Sequence, residues 1–356
     1  MIYSQRSDGL GTRVLSAIYA QIFSEQVGVP MGLIWTPLGW PFGVRDTPLM
    51  HPNNIFELFG DLAFFRDGQG NGHGRIVLHE EPVSTELLSL YEHRYELFAL
   101  SQAELAQVSS MGKGVNYDFP GPLFRFMTED ADAPAKVARI AGTINWNAHI
   151  LGTVAAIDET FRLENCLSVH VRRGDIVEML FRSDLADLID GGMTQILQRY
   201  TPLQAYFDAV DRHRRGGIVV CTEDDGVVER FQHRYGAHRI ASCSARDLSE
   251  NQRAAVDLIL LSKSRRIVAP VLSFFSQCAA AIGNTRIRNT AWHLKDTTTE
   301  ITALVRRAES ARSEQVLAVM YAAAYRISEQ NDLNLASYYR GLGTTSDAAL
   351  FEQAMA

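Results

Sequence analysis

The sequence predicts an α/β protein with two Rossmann-like domains, each a parallel sheet flanked by helices, and a helical C-terminal appendage. Three observations support this prediction. A chain of 356 residues is too long for one ordinary hydrophobic core. The chain opens with a strand, a glycine-bearing turn, an amphipathic helix and a second strand. Its second half repeats the order strand, polar loop and helix, the pattern of a doubly wound parallel sheet.

The opening unit is short and regular. Ile2 and Tyr3 predict a strand, and Gly28 ends the helix that follows the turn, as a glycine at the C′ position does. Met31 to Trp35 predicts the next strand. The helix is predicted by five apolar residues that share one face at helical spacing. They are Leu15, Ile18, Tyr19, Ile22 and Phe23.

The middle of the chain is less regular. Residues 36–75 are rich in Gly, Pro, Asn and Asp, and residues 67–74 predict an exposed loop. Helical spacing returns over 84–108, and one helix from Lys136 to Ile157 is predicted to cross into the second half. We therefore place one Rossmann-like domain at 1–150, a second at 151–296 and a helical segment at 297–356.

In the second half, each predicted strand ends at a polar segment. The predicted strands are 167–171, 217–222, 239–241 and 267–269. Arg172-Arg173-Gly174-Asp175 follows the first, Glu223-Asp224-Asp225 the second, and Ser273 lies shortly after the last. Ligands of such sheets bind outside the carboxyl ends of the strands. The polar segments therefore predict one binding site.

Bulk properties exclude several function classes. The net charge is −7 and the sequence pI is about 5.8, so no global field attracts nucleic acid. The four cysteines have no metal-binding spacing, which favours reduced thiols. No secretory signal and no membrane-crossing apolar run is visible. We expect a cytoplasmic protein without an integral membrane segment.

The arginine pair indicates an anionic ligand. Two guanidinium groups at a strand end require anions, and a diphosphate matches their planar forks. Asp175 can hold one arginine, and Gly174 allows a ligand close to the backbone. The alternative is a surface pair with a local salt bridge to Asp175.

These residues carry a family resemblance. Ser168 to Asp175 resembles the H-x-R-R-x-D motif of the α1,2-, α1,6- and protein O-fucosyltransferase superfamily. Three further segments are similar to segments of that family and occur in the expected order. They are Asp8 to Arg13, Cys221 to Asp224, and Asp257 to Ser262 followed by Ser273 to Gln277. The resemblance covers about residues 1–30 and 165–285.

The resemblance implies a GT-B fold, GDP-fucose as donor substrate and no metal or other cofactor. It implies that Arg172 contacts the diphosphate and stabilises the leaving GDP, and that Asp224 binds the guanine edge. The remaining donor-side residues that it implies are His170, Arg173, Asp175, Ser273, Ser276 and Gln277. It also implies that 1–150 is the acceptor-side domain and 151–296 the GDP-sugar-binding domain. The acceptor-side residues that it implies are Asp8, Gly9, Gly11 and Arg13. Glu223 and Phe275 depart from the family pattern.

The chemistry accords with these residue types. Breaking a glycosyl–phosphate bond leaves negative charge on the diphosphate, which fixed arginines stabilise without a divalent cation. Glu178 is the candidate base for the acceptor hydroxyl; the alternative is an ordinary loop carboxylate. Two further readings stay open: a non-catalytic nucleotide- or glycan-binding protein, and a metal-dependent transferase using Glu223-Asp224-Asp225. The acceptor, whether a glycan, a lipid-linked glycan or a protein, and the identity of the GDP-linked sugar also stay open.

Overall fold

The computed structural model describes thirteen stretches of the chain. They are residues 2–6, 9–28, 30–35, 55–78, 115–116, 132–172, 201, 203–213, 216–243, 247–270, 273–289, 314–329 and 333–355. The helix predicted over 84–108 lies outside these residues. Within them, the predicted α/β class is confirmed by two separate sheets whose strands are mostly parallel.

The first sheet has the order β3-β4-β2-β1-β5. Its elements in chain order are β1 (Ile2–Arg6), α1 (Leu10–Val27), β2 (Met31–Trp35), α2 (Ile55–Leu58), β3 (Ala63–Arg66), β4 (Gly72–Leu78) and β5 (Val115–Asn116). β1 is parallel to β2 and β5, and β2 is parallel to β4, whereas β3 is antiparallel to β4. Residues 10–20 of α1 are buried on every side. Gly28 ends α1 in the left-handed region at φ 67°, as predicted.

Two helices connect this sheet to the second. They are α3 (Ala133–Ala141) and α4 (Ala148–Phe161). The second sheet has the order β10-β9-β6-β7-β8, and all its strand pairs are parallel. Its elements are β6 (Leu167–Val171), α5 (Leu203–Asp211), β7 (Ile218–Thr222), α6 (Asp225–Tyr235), β8 (Ile240–Ala241), α7 (Glu250–Lys263), β9 (Arg266–Ala269), α8 (Phe274–Gly283) and β10 (Arg286–Asn289).

Three sequence predictions were wrong in detail. The exposed loop predicted over 67–74 ends at Asn71, because Gly72 begins β4, which pairs with β3 as a hairpin. The single helix predicted from Lys136 to Ile157 is two helices. In the segment between these two helices, Ile144 forms an isolated β-bridge to Phe65, and Trp146 forms one to Phe59. Strand β10 was not predicted, because its charged sequence lacks an apolar run.

The two halves touch through helices. The N-terminal turn of α1 packs on that of α8, where a Cβ added to Gly11 would lie 2.7 Å from the Phe275 Cα. At the start of α7, the Ser249 hydroxyl donates to the Glu57 carboxylate at 2.8 Å. Ser249 and Gln252 also form the predicted capping box. Buried side chains of both sheets consequently form one continuous apolar cluster.

The C-terminal residues form two helices, α9 (Glu314–Glu329) and α10 (Leu333–Met355). α10 is interrupted at Asp347, whose carboxylate accepts from the Leu350 N–H at 3.0 Å. The interruption turns the chain so that the Phe351 ring packs on Gly343. Helix was predicted here. In the described part of the chain, every helix is too short or too polar to cross a membrane.

Candidate functional site

The candidate site begins at the carboxyl end of β6. His170 is the fourth residue of this strand and is 4% exposed. Its Nδ1 lies 2.5 Å from the Ser276 Oγ and 3.4 Å from the Ser273 Oγ. The imidazole also lies beside the Phe275 ring, with 5.1 Å between ring centroids. Arg172 follows directly and is half-buried. The end of β6 therefore carries a buried histidine, and a half-buried arginine follows two residues later.

Helix α8 begins beside this strand end. Ser273 is its N-cap, and the Ser276 N–H donates to the Ser273 Oγ at 3.4 Å. Both serines are buried. Their hydroxyl groups thus join the start of α8 to His170 as one polar network. The first turn of α8 contains no acidic residue, so its positive helix end is not offset by a carboxylate of its own first turn.

Gln277 lies in the same turn of α8. The residue is half-buried, and its Oε1 is buried without a hydrogen-bond partner among the described residues. A buried amide oxygen normally has a partner. Gln277 is therefore placed to accept from a ligand or from a donor in the chain beyond the described residues.

The acidic segment lies at the end of the neighbouring strand β7. Asp224 caps α6, where its Oδ1 accepts from the Gly226 N–H at 2.9 Å. Glu223, Asp224 and Asp225 are all exposed. Asp225 approaches the Arg253 Nη1 only to 4.0 Å. Across the described ranges, no three His, Cys, Asp or Glu side chains converge in a metal-ligand arrangement.

The sequence reasoning missed Asp257 as a site residue. It lies on α7 against the end of β7, where the Cys221 thiol donates to its backbone oxygen at 3.7 Å. Its Oδ1 is buried and has no partner among the described residues. Burial, together with the charge of Glu223, raises the pKa of this carboxyl well above its ordinary value. Asp257 begins one of the family-like segments, but the resemblance gave it no role, and its burial is not readable from the sequence.

The acceptor-side residues have different surroundings. Gly9 is the N-cap of α1 and is exposed, and Gly11 gives α1 its close approach to Phe275. Arg13 is only 1% exposed, and its guanidinium carbon lies 4.7 Å from the centroid of the Trp35 ring. Arg13 consequently packs within the first half of the protein.

The described residues bring together part of the predicted site. His170, Ser273 and Ser276 form one cluster, with Gly11 against the neighbouring Phe275. Asp224 lies one strand away, and its hydrogen bonds with described residues stay within its own turn. Four other predicted residues lie outside the described part of the chain. They are Asp8, Arg173, Asp175 and Glu178.

Comparison with solved structures finds similar proteins. A NodZ α-1,6-fucosyltransferase soaked with GDP-fucose is 14% identical, with 79% of this chain and 91% of that chain covered and a TM-score of 0.49. The fucosyltransferase NodZ from Bradyrhizobium is 15% identical, with 78% of this chain and 91% of that chain covered and a TM-score of 0.47. A mutant FUT1 of Arabidopsis thaliana in complex with GDP is 11% identical, with 81% of this chain and 70% of that chain covered and a TM-score of 0.47. No family model and no curated protein matches the chain. At these TM-scores the similarity carries no argument about activity, so the function is argued from the residues.

Proposed function

We propose that this chain is an inverting, metal-independent glycosyltransferase with a GT-B arrangement of its two halves. It transfers fucose from GDP-fucose to a hydroxyl group of a glycan or protein. The observation that carries the proposal is the buried network of His170, Ser273 and Ser276. This network holds the end of β6, from which Arg172 emerges, against the N-terminus of α8.

The network suits a departing diphosphate. As the glycosyl bond breaks, negative charge collects on the β-phosphate, and fixed positive groups lower the barrier most effectively. Arg172 supplies a guanidinium fork, and the first turn of α8 supplies backbone N–H groups and a positive helix end. Because both serines are buried against His170, their role is to hold this geometry. The phosphate contact then comes from the backbone of α8 and from Arg172.

Two carboxyl groups are candidates for the contact with the guanine base. Asp224 was assigned this role from the resemblance, but one of its oxygens caps α6. Asp257 lies against the same strand end with a buried oxygen that lacks a partner among the described residues. A guanine presents two donors, N1–H and its exocyclic amine, to a carboxylate. Their approach would favour the ionised form of Asp257, which burial by itself disfavours. We therefore assign the base contact to Asp257, with Asp224 as the exposed alternative.

The other assignments stay proposals, from the resemblance or, for Glu178, from its closeness in sequence to the arginine pair. Arg173 and Asp175 position the sugar and the phosphate, Glu178 removes the proton of the acceptor hydroxyl, and Asp8 faces the acceptor. Inversion follows if this hydroxyl attacks the anomeric carbon opposite the leaving GDP in one step, with no covalent intermediate on the protein.

Turnover of GDP-fucose in EDTA tests the function. We expect the native chain to release GDP from GDP-fucose and to leave UDP-sugars intact. Arg172→Ala should lose about 100-fold or more in kcat, the magnitude typical of removing one oxyanion donor, and Arg172→Lys should recover part of the loss. The matched control is Arg230→Ala, an exposed arginine on α6, which should turn over normally.

The outcomes separate the alternatives. Activity that disappears in EDTA and returns with Mg²⁺ or Mn²⁺ would contradict the metal-independent mechanism and favour the acidic segment at 223–225. GDP binding without release of fucose to water or to any acceptor would contradict the enzymatic proposal and favour a binding protein.

A further inference from the structure

The amino-terminal edge of the second sheet carries a cluster of basic residues. His170 lies near the other, carboxyl-terminal edge. Because β6 to β10 are parallel, their first residues all lie at this edge. Arg266 begins β9 and is paired in register with Arg286, which begins β10. Arg265 precedes Arg266, and Arg239 precedes β8. These four residues are called the basic edge below.

Within the described ranges, no carboxylate forms an ion pair with an arginine of the basic edge. Arg265, Arg266 and Arg286 are exposed, and among the described residues none of them has an ion pair. Arg239 instead donates to the Gly216 carbonyl at 3.1 Å. Two acids lie near Cys166 at this edge. Asp158 pairs with Lys263 at 2.8 Å, whereas Glu164 keeps its negative charge, because its partner Asn165 is neutral. Among the described residues, the four arginines therefore outnumber the carboxylates at this edge.

The field of these arginines acts on the histidine beside them. Burial, and then the positive charges of Arg266, Arg265 and Arg239, lower the pKa of His213. The arginines therefore lie close enough to add their potentials at one point. This local field is positive although the whole chain has a net charge of −7.

The geometry points to an anionic membrane surface as the partner of the basic edge: we propose that it adsorbs to acidic phospholipid headgroups. The edge spans five strands, about 20 Å at a strand spacing of ~4.8 Å. That is broad for a single free phosphate and suited to a plane of headgroups. Juxtaposed Lys and Arg residues add attraction to such a surface, which salt weakens.

Nucleic acid fits the edge less well. Single strands are bound by aromatic side chains interleaved with basic ones. The exposed large apolar residues in the described part of the chain are Phe56, Leu62, Leu151 and Tyr338, and none of them belongs to these strand starts. Readout of duplex DNA requires an α-helix or a β-ribbon that enters a groove, whereas this edge consists of strand starts.

Adsorption through this edge would orient the protein. The strands of the sheet have two to five residues, so its two edges lie about 15 Å apart at ~3.3 Å per residue. His170 and Arg172 lie at the other edge. The bound protein would therefore present its candidate site to solvent, away from the lipid.

Vesicle flotation tests the proposal. We expect the native chain to float with phosphatidylserine-rich vesicles at low salt, and to stay unbound with phosphatidylcholine vesicles or at high salt. The triple variant Arg265→Gln, Arg266→Gln, Arg286→Gln should lose on the order of 100-fold in partitioning. Each basic residue near an anionic surface strengthens partitioning by about fivefold. The charge-matched control is Arg75→Gln, Arg230→Gln, Arg340→Gln, expected to change it by less than about threefold.

Several results would overturn the proposal. Absence of binding of the native chain to the anionic vesicles is one, and an equal loss in the control variant is another. Binding to RNA or to inorganic phosphate that prevails over vesicles, and that the triple variant abolishes, would assign the edge to that ligand instead. Equal thermal unfolding temperatures of the three proteins ensure that the comparison reports the surface and not the fold.

Discussion

The carboxyl ends of the two sheets carry opposite kinds of residues. In the second half, His170, Ser273 and Ser276 form a buried polar network beside Arg172. In the first half, Arg13 is buried over the Trp35 ring, and the start of α1 has no side-chain cap. Buried polar groups are costly unless they are satisfied, and such networks concentrate at functional sites. This contrast is the basis for our proposal that the ligand binds at the end of β6 in the second half.

The largest effect is expected where the two halves touch. In Gly11→Ala the new Cβ would lie 2.7 Å from the Phe275 backbone, so a helix must move. We expect a loss of about 3 kcal/mol in the free energy of unfolding, together with weakened GDP binding. Urea unfolding and calorimetry measure the two effects. Gly9→Ala is the control, because nothing lies within 4 Å of its added Cβ; equal behaviour of the two variants would disprove the tight contact.

Removal of a hydroxyl group from the network should have the next largest effect. Ser276→Ala leaves His170 Nδ1 without its nearest partner, at a cost of about 2 kcal/mol of stability. It should also weaken GDP binding by displacing the end of β6. Ser264→Ala, which removes a buried hydroxyl bonded to the Leu260 carbonyl at 2.8 Å, should lower stability alone. If both variants bind GDP like the native chain, the network is structural only.

Asp257→Asn should separate stability from binding. The folded-state pKa of this carboxyl is raised above its ordinary value of 3.8, so the native fold favours its protonated form. Its contribution is favourable at low pH and is lost as the pH rises from about 4 through the raised pKa. At neutral pH, Asp257→Asn should therefore raise the free energy of unfolding while it weakens GDP binding.

Thermal unfolding measured from acidic to neutral pH tests this sign. The native chain should lose stability relative to Asp257→Asn as the pH increases. A constant difference across the range would show that Asp257 is not the titrating group, and unchanged GDP affinity would return the base contact to Asp224.

The smallest effect is expected for Arg13→Met. Methionine keeps much of the packing on Trp35 and removes the cation–π interaction, which costs about 1 kcal/mol. GDP binding should be unchanged, because the side chain is buried in the first half. A loss of donor or acceptor binding at unchanged stability would instead make Arg13 a site residue and remove the contrast between the halves.

Regular elements with a strong local signal could be predicted from the sequence. Met31–Trp35 and Leu167–Val171 are buried strands at the predicted bounds, and the capping box at Ser249 is present. The hairpin of β3 and β4 could not be predicted in the same way. Gly72 and Gly74 signal a loop locally, and their strand is formed by pairing with β3 and β2.

The candidate site was predictable only in part. Strand-end polarity indicated Arg172 and Ser273 because position along a parallel sheet is readable from the chain, whereas His170 was named through the family resemblance. The burial of Arg13 and Asp257 depends on which helix packs over which strand, and no local pattern contains that information. Asp224 shows the same limit: a carboxylate at a strand end serves equally as a ligand contact and as a helix cap.

Calorimetric titration with GDP, UDP and ADP, in EDTA, of the native chain and of Arg172→Ala tests the central claim most directly. The account predicts that GDP alone binds the native chain, and that Arg172→Ala weakens it by at least about tenfold, the loss of one charge-assisted contact. If GDP does not bind, or binds equally well to Arg172→Ala, the donor site is not at the end of β6 and the proposed fucosyltransferase function is contradicted.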